Sequence, residues 1–336
     1  MNQNPPPYET ICVVGAGAIG GWLAAALSRA GRRVSLLARG PTLAALQAGG
    51  LQLQSGPADA PQTQGFDVKA SADAASLGVQ ELVIIAVKAP ALRDVALQIG
   101  PLIGPSTVVL TAMNGVPWWF LHGFGGPLQG KALESVDPGG TIASAIGANH
   151  VIGGVVHASC SVVAPGVIRH GFGNRIIVGE PSGERSDRVL ALAALLQAGG
   201  LEAPVSEQIQ RDIWFKLWGN MTVNPVSAFT GAMSNQIMDD ELVLAFCSRV
   251  MLEARSIGAG FGVAIDQEPA DRHVVTRKLG AFKTSMLQDV EAGKAVELDA
   301  LVASVRELGQ LTGVPTPEID TLLGLARLHA RVHGLY

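Results

Sequence analysis

Ile11-Cys12-Val13-Val14 runs directly into Gly15-Ala16-Gly17-Ala18-Ile19-Gly20, a β-branched strand breaking into glycines at fixed spacing. An Ala-rich segment of helical character covers residues 20–30, Gly31 stops it, and 33–38 (RVSLLA) reads as a second strand. Strand, turn, helix and strand in such short compass is the grammar of a parallel βαβ unit. In that unit the first glycine allows the tight turn and the second lets backbone approach a pyrophosphate. The third lets helix and strand pack closely, and the helix N-terminus faces the phosphates. Residues Gly15, Ala16, Gly17, Ala18, Ile19 and Gly20 are therefore the expected dinucleotide cradle; the alternative is a merely structural glycine-rich turn.

The end of the second strand bears on which dinucleotide. A ribose 2′-hydroxyl calls for a carboxylate there, and a 2′-phosphate for an arginine. The chain reads Ser35-Leu36-Leu37-Ala38-Arg39-Gly40, with no carboxylate and Arg39 at the spot. A guanidinium pairs with phosphate in bidentate fashion, so NADP(H) is expected over NAD(H), unless Arg39 is a solvated surface residue.

Further apolar runs follow at 82–87 (LVIIAV), 108–113 (VVLTAM), 151–156 (VIGGVV) and 175–179 (RIIVG), separated by Gly/Pro-rich turns and Ala/Leu-rich segments. Near-continuous apolar strands suit a sheet covered on both faces. The glycine-rich stretch 123–154 carries apolar anchors and reads as an ordered loop region. Beyond about residue 205 the β-branched runs give way to amphipathic stretches at 207–224, 239–260, 267–292, 297–312 and 317–333. The expected fold class is α/β: an N-terminal Rossmann-like, doubly wound parallel sheet, followed by an all-helical C-terminal domain. The expected division is residues 1–205 for NADP binding and 206–336 for substrate binding and dimerisation.

Composition removes other classes. The chain has 336 residues, 48% of them hydrophobic and 15% charged, enough for large cores and against disorder. A formal charge of −4 provides no basic face for nucleic acid. Cys12, Cys160 and Cys247 are odd in number and far apart, which argues against a disulfide framework or a cysteine zinc site. The first ten residues, MNQNPPPYET, lack a basic and an apolar region, so no signal peptide is expected. No apolar run reaches membrane-spanning length, and a cytoplasmic location is the expectation. A mean hydropathy of +0.32 and an Ala/Leu-rich helical half are compatible with a homodimer.

Catalytic chemistry concentrates in two segments. In 212–225 (DIWFKLWGNMTVNP), Lys216, Asn220 and Asn224 stand at i, i+4 and i+8 and share one helix face among apolar neighbours. An ammonium and two amides on a buried face need partners, which a substrate with carbonyl, hydroxyl and carboxylate groups would supply. A structural polar network is the alternative. The second segment, 284–299 (TSMLQDVEAGKAVELD), reads as a helix ending near Gly293, a turn, and a helix opening on Glu297 and Asp299. Those carboxylates could simply complement the helix dipole, and Ser285 could be an ordinary helix serine.

Taken together, the glycine loop with Arg39, Val87-Lys88-Ala89, Asn114-Gly115, K-L-x-x-N-x-x-x-N-P at 216–225 and S-M-x-Q-D…E-x-D at 285–299 resemble ketopantoate reductase, in order and over nearly the whole chain. The resemblance implies NADPH-dependent reduction of the C2 ketone of ketopantoate to D-pantoate. It implies Lys216 as general acid and Glu297 as the carboxylate engaging the substrate hydroxyl. Asn220 and Asn224 become substrate-orienting amides, and Ser285 a contact of the substrate carboxylate. Asn114 and Lys88, with Glu297, fall at the nicotinamide and ribose end; Asn114 also counts among the substrate contacts. No metal is implied.

Two departures bear on substrate. Ser234 stands where the family often has asparagine, with Asn235 beside it, and Val116-Pro117-Trp118-Trp119-Phe120 follows Asn114-Gly115. The tryptophans could wall a reshaped pocket or simply pack. A paralogue reducing another branched or bulky 2-oxo acid, and a non-catalytic NADP(H)-binding sensor, are the alternatives. His329 and His333 at i, i+4 lack a third ligand nearby and read as a surface pair.

Overall fold

Leucine- and β-branched runs bury both faces of the strands they form, and in this chain they become the middle of one sheet. The computed structural model describes residues 8–57 and 59–336; most of the segment read for a signal peptide lies outside them. The N-terminal half comprises β1 (Thr10–Val14), α1 (Ala18–Arg29), β2 (Arg33–Leu37), α2 (Gly40–Gly49), β3 (Leu51–Ser55), β4 (Gln62–Phe66), β5 (Lys69–Ser71), β6 (Gln80–Ile85), α3 (Leu92–Gln98), β7 (Ile103–Thr111), α4 (Thr141–Ala145), β8 (Val151–Ala164), β9 (Val167–Gly179) and α5 (Asp187–Ala198). The sheet has nine strands in the order β4-β3-β9-β8-β7-β6-β1-β2-β5. Consecutive residues Leu82, Val83, Ile84 and Ile85 are all fully buried, as a strand covered on both faces requires.

Parallel pairings dominate, and the register sets one end of the sheet. Val14 pairs with Leu37 and with Ile85, and Ile85 with Thr111. The residues just past those strands, Gly15, Arg39 and Lys88, therefore emerge at one edge. Two pairings, β3 with β4 and β8 with β9, are antiparallel within this otherwise parallel sheet. The reason for the second is local. Only Pro165 and Gly166 separate β8 from β9, Gly166 takes φ +75°, and so short a link permits only a hairpin. The runs at 151–156 and 175–179 are the buried ends of these much longer strands. Helix α1 buries residues Gly20 to Leu27 continuously, packing against β1, β2, β3, β8 and β9.

The chain divides into two compact units: residues 1–113 with 141–209, and 114–140 with 210–336. The second is built from α6 (Ile209–Thr230), α7 (Ser234–Asp239), α8 (Glu241–Gly260), α9 (Pro269–Lys278), α10 (Ser285–Glu291), a π-helical turn at Asp299–Ala303, α11 (Ser304–Thr312) and α12 (Pro317–Val332). Helix α6 runs on through Pro225 although the sequence favours a stop at 224. Burial of every residue from Met221 to Ala228 offsets the hydrogen bond that proline forfeits.

Residues 114–140 belong to this helical unit. Glu307 on α11 holds them through Glu134 N at 2.8 Å and Ser135 N at 2.9 Å. Trp119 and Phe120 are fully buried and Trp118 nearly so; Phe120 and Trp214 both meet Phe261 edge-to-face, at 5.9 and 5.0 Å between ring centres. The tryptophan insertion is core packing. All three cysteines are free thiols. Among the described residues no helix is long and apolar enough to cross a membrane.

Candidate active site

The glycine loop in the sheet unit has the geometry that a nucleotide cradle needs. Gly15 takes φ +98°, and a Cβ there would fall 2.9 Å from Ala86 O. Its N–H donates to Leu37 O at 3.1 Å, tying the loop to the end of β2 just before Arg39. A Cβ at Gly20 would fall 1.9 Å from Gly15 O, so close packing of helix on loop demands glycine. Gly17 is different: it caps α1, and a Cβ there would meet nothing within 4 Å. The space at the positive end of α1 is open, and its first turn carries no acidic residue. Arg39 is exposed and its guanidinium makes no hydrogen bond or ion pair with a described residue. Lys88 is exposed and precedes a short turn at Ala89–Ala91. These residues fit a phosphorylated dinucleotide.

The helical unit carries the polar cluster. Lys216 on α6 donates a hydrogen bond from Nζ to Asn114 Oδ1 at 2.7 Å. Asn114 owes its position to the turn after it. Gly115 takes φ +84° against Ala300, and Val116 N donates to Ala300 O at 2.8 Å. Ala300 lies in the π-helical turn that follows Glu297, and Ser304 Oγ also donates to its carbonyl, at 2.8 Å. A π turn leaves carbonyls available to neighbours, and such turns frequently mark functional sites.

Glu297 is 5% exposed. Burial brings the Lys216 ammonium down to about 8, while the Glu297 carboxylate raises it and the Arg272 guanidinium lowers it further. Asn220 and Asn224 share the helix face with Lys216, and their amides make no hydrogen bond to described residues. Ser285 opens α10 and is exposed, with Thr284 before it serving as the cap. The helical unit thus brings Asn114 and Glu297 each to Lys216 and leaves Asn220, Asn224 and Ser285 uncommitted. Ser234 is fully buried; its hydroxyl donates to Gly280 O at 2.8 Å and accepts from Phe282 N at 3.0 Å. It holds a turn in place.

Arg272 is the residue that sequence reading passed over. It sits in α9, whose string of charges reads as a solvated face. Its signal was Gly219: glycine in a helix interior marks close approach of another group, and a Cβ there would fall 2.6 Å from Arg272 Nε. His170, by contrast, stacks on Trp22 and bonds to Gly173 O. His333 bonds to His329 O, and no set of three or more metal-ligating residues occurs among the described residues.

Two family models match the chain. Residues 11–119 match the family model described as ketopantoate reductase PanE/ApbA, and residues 208–330 match its C-terminal model. A 2-dehydropantoate 2-reductase of Mesorhizobium japonicum is 48% identical over 97% of this chain and 99% of its own. A solved structure from Ralstonia solanacearum MolK2, presented as a candidate ketopantoate reductase, is 58% identical with TM-score 0.93, covering 98% of this chain and 99% of the other. The solved 2-dehydropantoate 2-reductase of Geobacter metallireducens is 26% identical with TM-score 0.81, over 95% of this chain and 99% of its own.

Proposed function

Because the chain belongs to the ketopantoate reductase family, we propose that it reduces the C2 ketone of 2-dehydropantoate to D-pantoate with NADPH, using Lys216 as general acid. The observation that carries this is the desolvated Lys216 ammonium, oriented by Asn114 Oδ1 at 2.7 Å and coupled to buried Glu297. A module that only senses nucleotide has no use for a proton donor so arranged.

NADPH, when bound, supplies the hydride. The chain's own part begins with the cradle at Gly15, Ala16, Gly17, Ala18, Ile19 and Gly20, where the N–H groups at the start of α1 would face the pyrophosphate. Arg39 pairs with the 2′-phosphate, and Lys88, Asn114 and Glu297 serve the ribose and nicotinamide end. Lys216 Nζ gives its proton to the ketone oxygen as negative charge develops there, leaving a neutral amine that solvent reprotonates. Burial suits it to this task, since a proton near neutral pK is easier to release. Glu297 accepts from the substrate hydroxyl, Asn220 and Asn224 orient the substrate, and Ser285 donates to its carboxylate.

The test is loss of NADPH absorbance with 2-dehydropantoate beside smaller and larger 2-oxo acids, repeated with NADH. The expected result is highest kcat/KM for 2-dehydropantoate with NADPH, and its collapse in Lys216→Ala with NADPH binding retained. A better panel member would replace the substrate and keep the chemistry; NADPH binding without turnover of any 2-oxo acid would overturn the reading. Arg39→Ala is expected to raise KM for NADPH about 10- to 150-fold, the range for a charge-assisted hydrogen bond, and to leave NADH kinetics alone.

A further inference from the structure

Arg272 is an uncompensated cation in an unusual place. Its guanidinium lies over the Phe215 ring, 6.0 Å from the ring centre, and against the α6 backbone at Gly219. Nε is buried with no hydrogen-bond partner, and the side chain makes no ion pair or hydrogen bond to any described residue. Gly219 falls between Phe215 and Lys216 around the helix, so the group flanks the face that carries Lys216, Asn220 and Asn224. Its charge is felt at Lys216.

The residue is held there by its own helix. The neighbouring His273 is buried and its Nε2 lies 2.9 Å from Ser248 Oγ on α8. Arg277, one turn on, pairs with Asp239 at 2.6 Å. A glycine inside a helix is destabilising relative to alanine, yet here it admits a guanidinium that would otherwise collide with a side chain. Glu297 raises the Lys216 ammonium and Arg272 lowers it, so both charges act at this site. A desolvated guanidinium requires an anion or hydrogen-bond acceptor, and its planar fork matches a carboxylate.

We propose that Arg272 binds the carboxylate of the 2-oxo acid and so makes the site specific for acids over their neutral derivatives. This rests on the reductase reading given above. A 2-oxo acid carries its carboxylate on the carbon next to the ketone, so a cation beside the proton donor meets the carboxylate when Lys216 meets the ketone oxygen. Ser285 can share that carboxylate through its hydroxyl, but it brings no charge.

The experiment compares wild type, Arg272→Gln and Arg272→Lys on a 2-oxo acid and on the corresponding 2-oxo amide. Wild type is expected to prefer the acid. In Arg272→Gln that preference shrinks about 10- to 150-fold, chiefly through KM, the range for a hydrogen bond to a charged group. Arg272→Lys regains part of it, and added guanidinium ion restores acid reduction by an Arg272→Ala variant. Because both substrates are read on one preparation, loss of fold lowers the two together and is distinguished from loss of an anchor. A second readout needs no turnover: oxamate, a non-reducible 2-oxo acid analogue, should quench tryptophan fluorescence in wild type and not in Arg272→Gln. Equal acid and amide kinetics changes, or unchanged oxamate binding, would overturn the anchor while leaving the reductase reading intact. Oxamate binding lost with Arg272, in a protein that reduces no 2-oxo acid, would sink the reductase reading and keep the anion site.

Discussion

Lys216 and Asn114 are 102 residues apart and meet in a single 2.7 Å hydrogen bond between Nζ and Oδ1. The bond fixes where the ammonium points, and it exists because the turn after Asn114 is clamped onto Ala300 O. Asn114→Ala should lower kcat about 10- to 150-fold, the range for a hydrogen bond to a charged group, with the fold intact. Steady-state kinetics beside a thermal melt checks this; a kcat within twofold of wild type would mean that Lys216 does not depend on Asn114 for aim.

Lys216 also sets a pH dependence. Lys216 donates only when protonated, and burial places its titration at about 8, with Glu297 raising it and Arg272 lowering it. Reductase kcat/KM should therefore be level below that pH and fall as pH rises through it. Glu297→Gln removes the group that raises, so the falling limb moves to lower pH; Arg272→Gln removes one that lowers, so it moves to higher pH. Asn114→Asp adds an anion beside Nζ and also moves it higher. Limbs that stay put in all three variants would show that another group governs the profile.

Two glycines of the nucleotide loop should separate stability from binding. A Cβ at Gly20 collides with Gly15 O, whereas one at Gly17 meets nothing of the protein within 4 Å. Gly20→Ala should unfold the sheet unit at lower temperature. Gly17→Ala should melt within about 0.5 kcal/mol of wild type, as open sites do, yet bind NADPH more weakly because the methyl occupies the approach to the pyrophosphate. Calorimetric titration and thermal melts on both variants decide it: an unaffected NADPH affinity in Gly17→Ala would move the nucleotide elsewhere.

These contrasts also show which parts of the molecule were open to reading from residues alone. The loop at 15–20 was legible because backbone sterics dictate glycine there, and Lys216, Asn220 and Asn224 because helix geometry puts i, i+4 and i+8 on one face. Strands β3 and β4 were not: Leu51 and Leu53 alternate with glutamines, and QTQGF (62–66) is almost wholly exposed. The hairpin halves of β8 and β9 beyond the core are polar or exposed as well. The amphipathic stretch at 207–224 stops short of the observed end of α6 at Thr230, because burial carries the helix through Pro225. The Lys216–Asn114 bond was beyond reach because it depends on the distant Val116–Ala300 contact. Arg272 was hidden because PADRHVVTRK is indistinguishable by periodicity from a helix facing water.

The turn that aims Asn114 offers the sharpest separation of structure from chemistry. Gly115 takes φ +84°, and a Cβ there would fall 2.6 Å from Ala300 O and 2.7 Å from Ala300 Cβ. Both penalties act on Gly115→Ala: the left-handed backbone costs about 1–3 kcal/mol for a non-glycine residue, and the overlap is with backbone that cannot rotate away. Relief requires the turn to lift off Ala300, which breaks the Val116 N–Ala300 O bond and carries Asn114 from Lys216. The variant should melt several degrees lower, lose kcat to about the extent of Asn114→Ala, and change NADPH affinity no more than Asn114→Ala does. In the double variant Gly115→Ala/Asn114→Ala the kcat losses should not add, since both remove one restraint on Lys216. Additive losses would assign Gly115 a separate contribution and detach the turn from the orientation of Lys216.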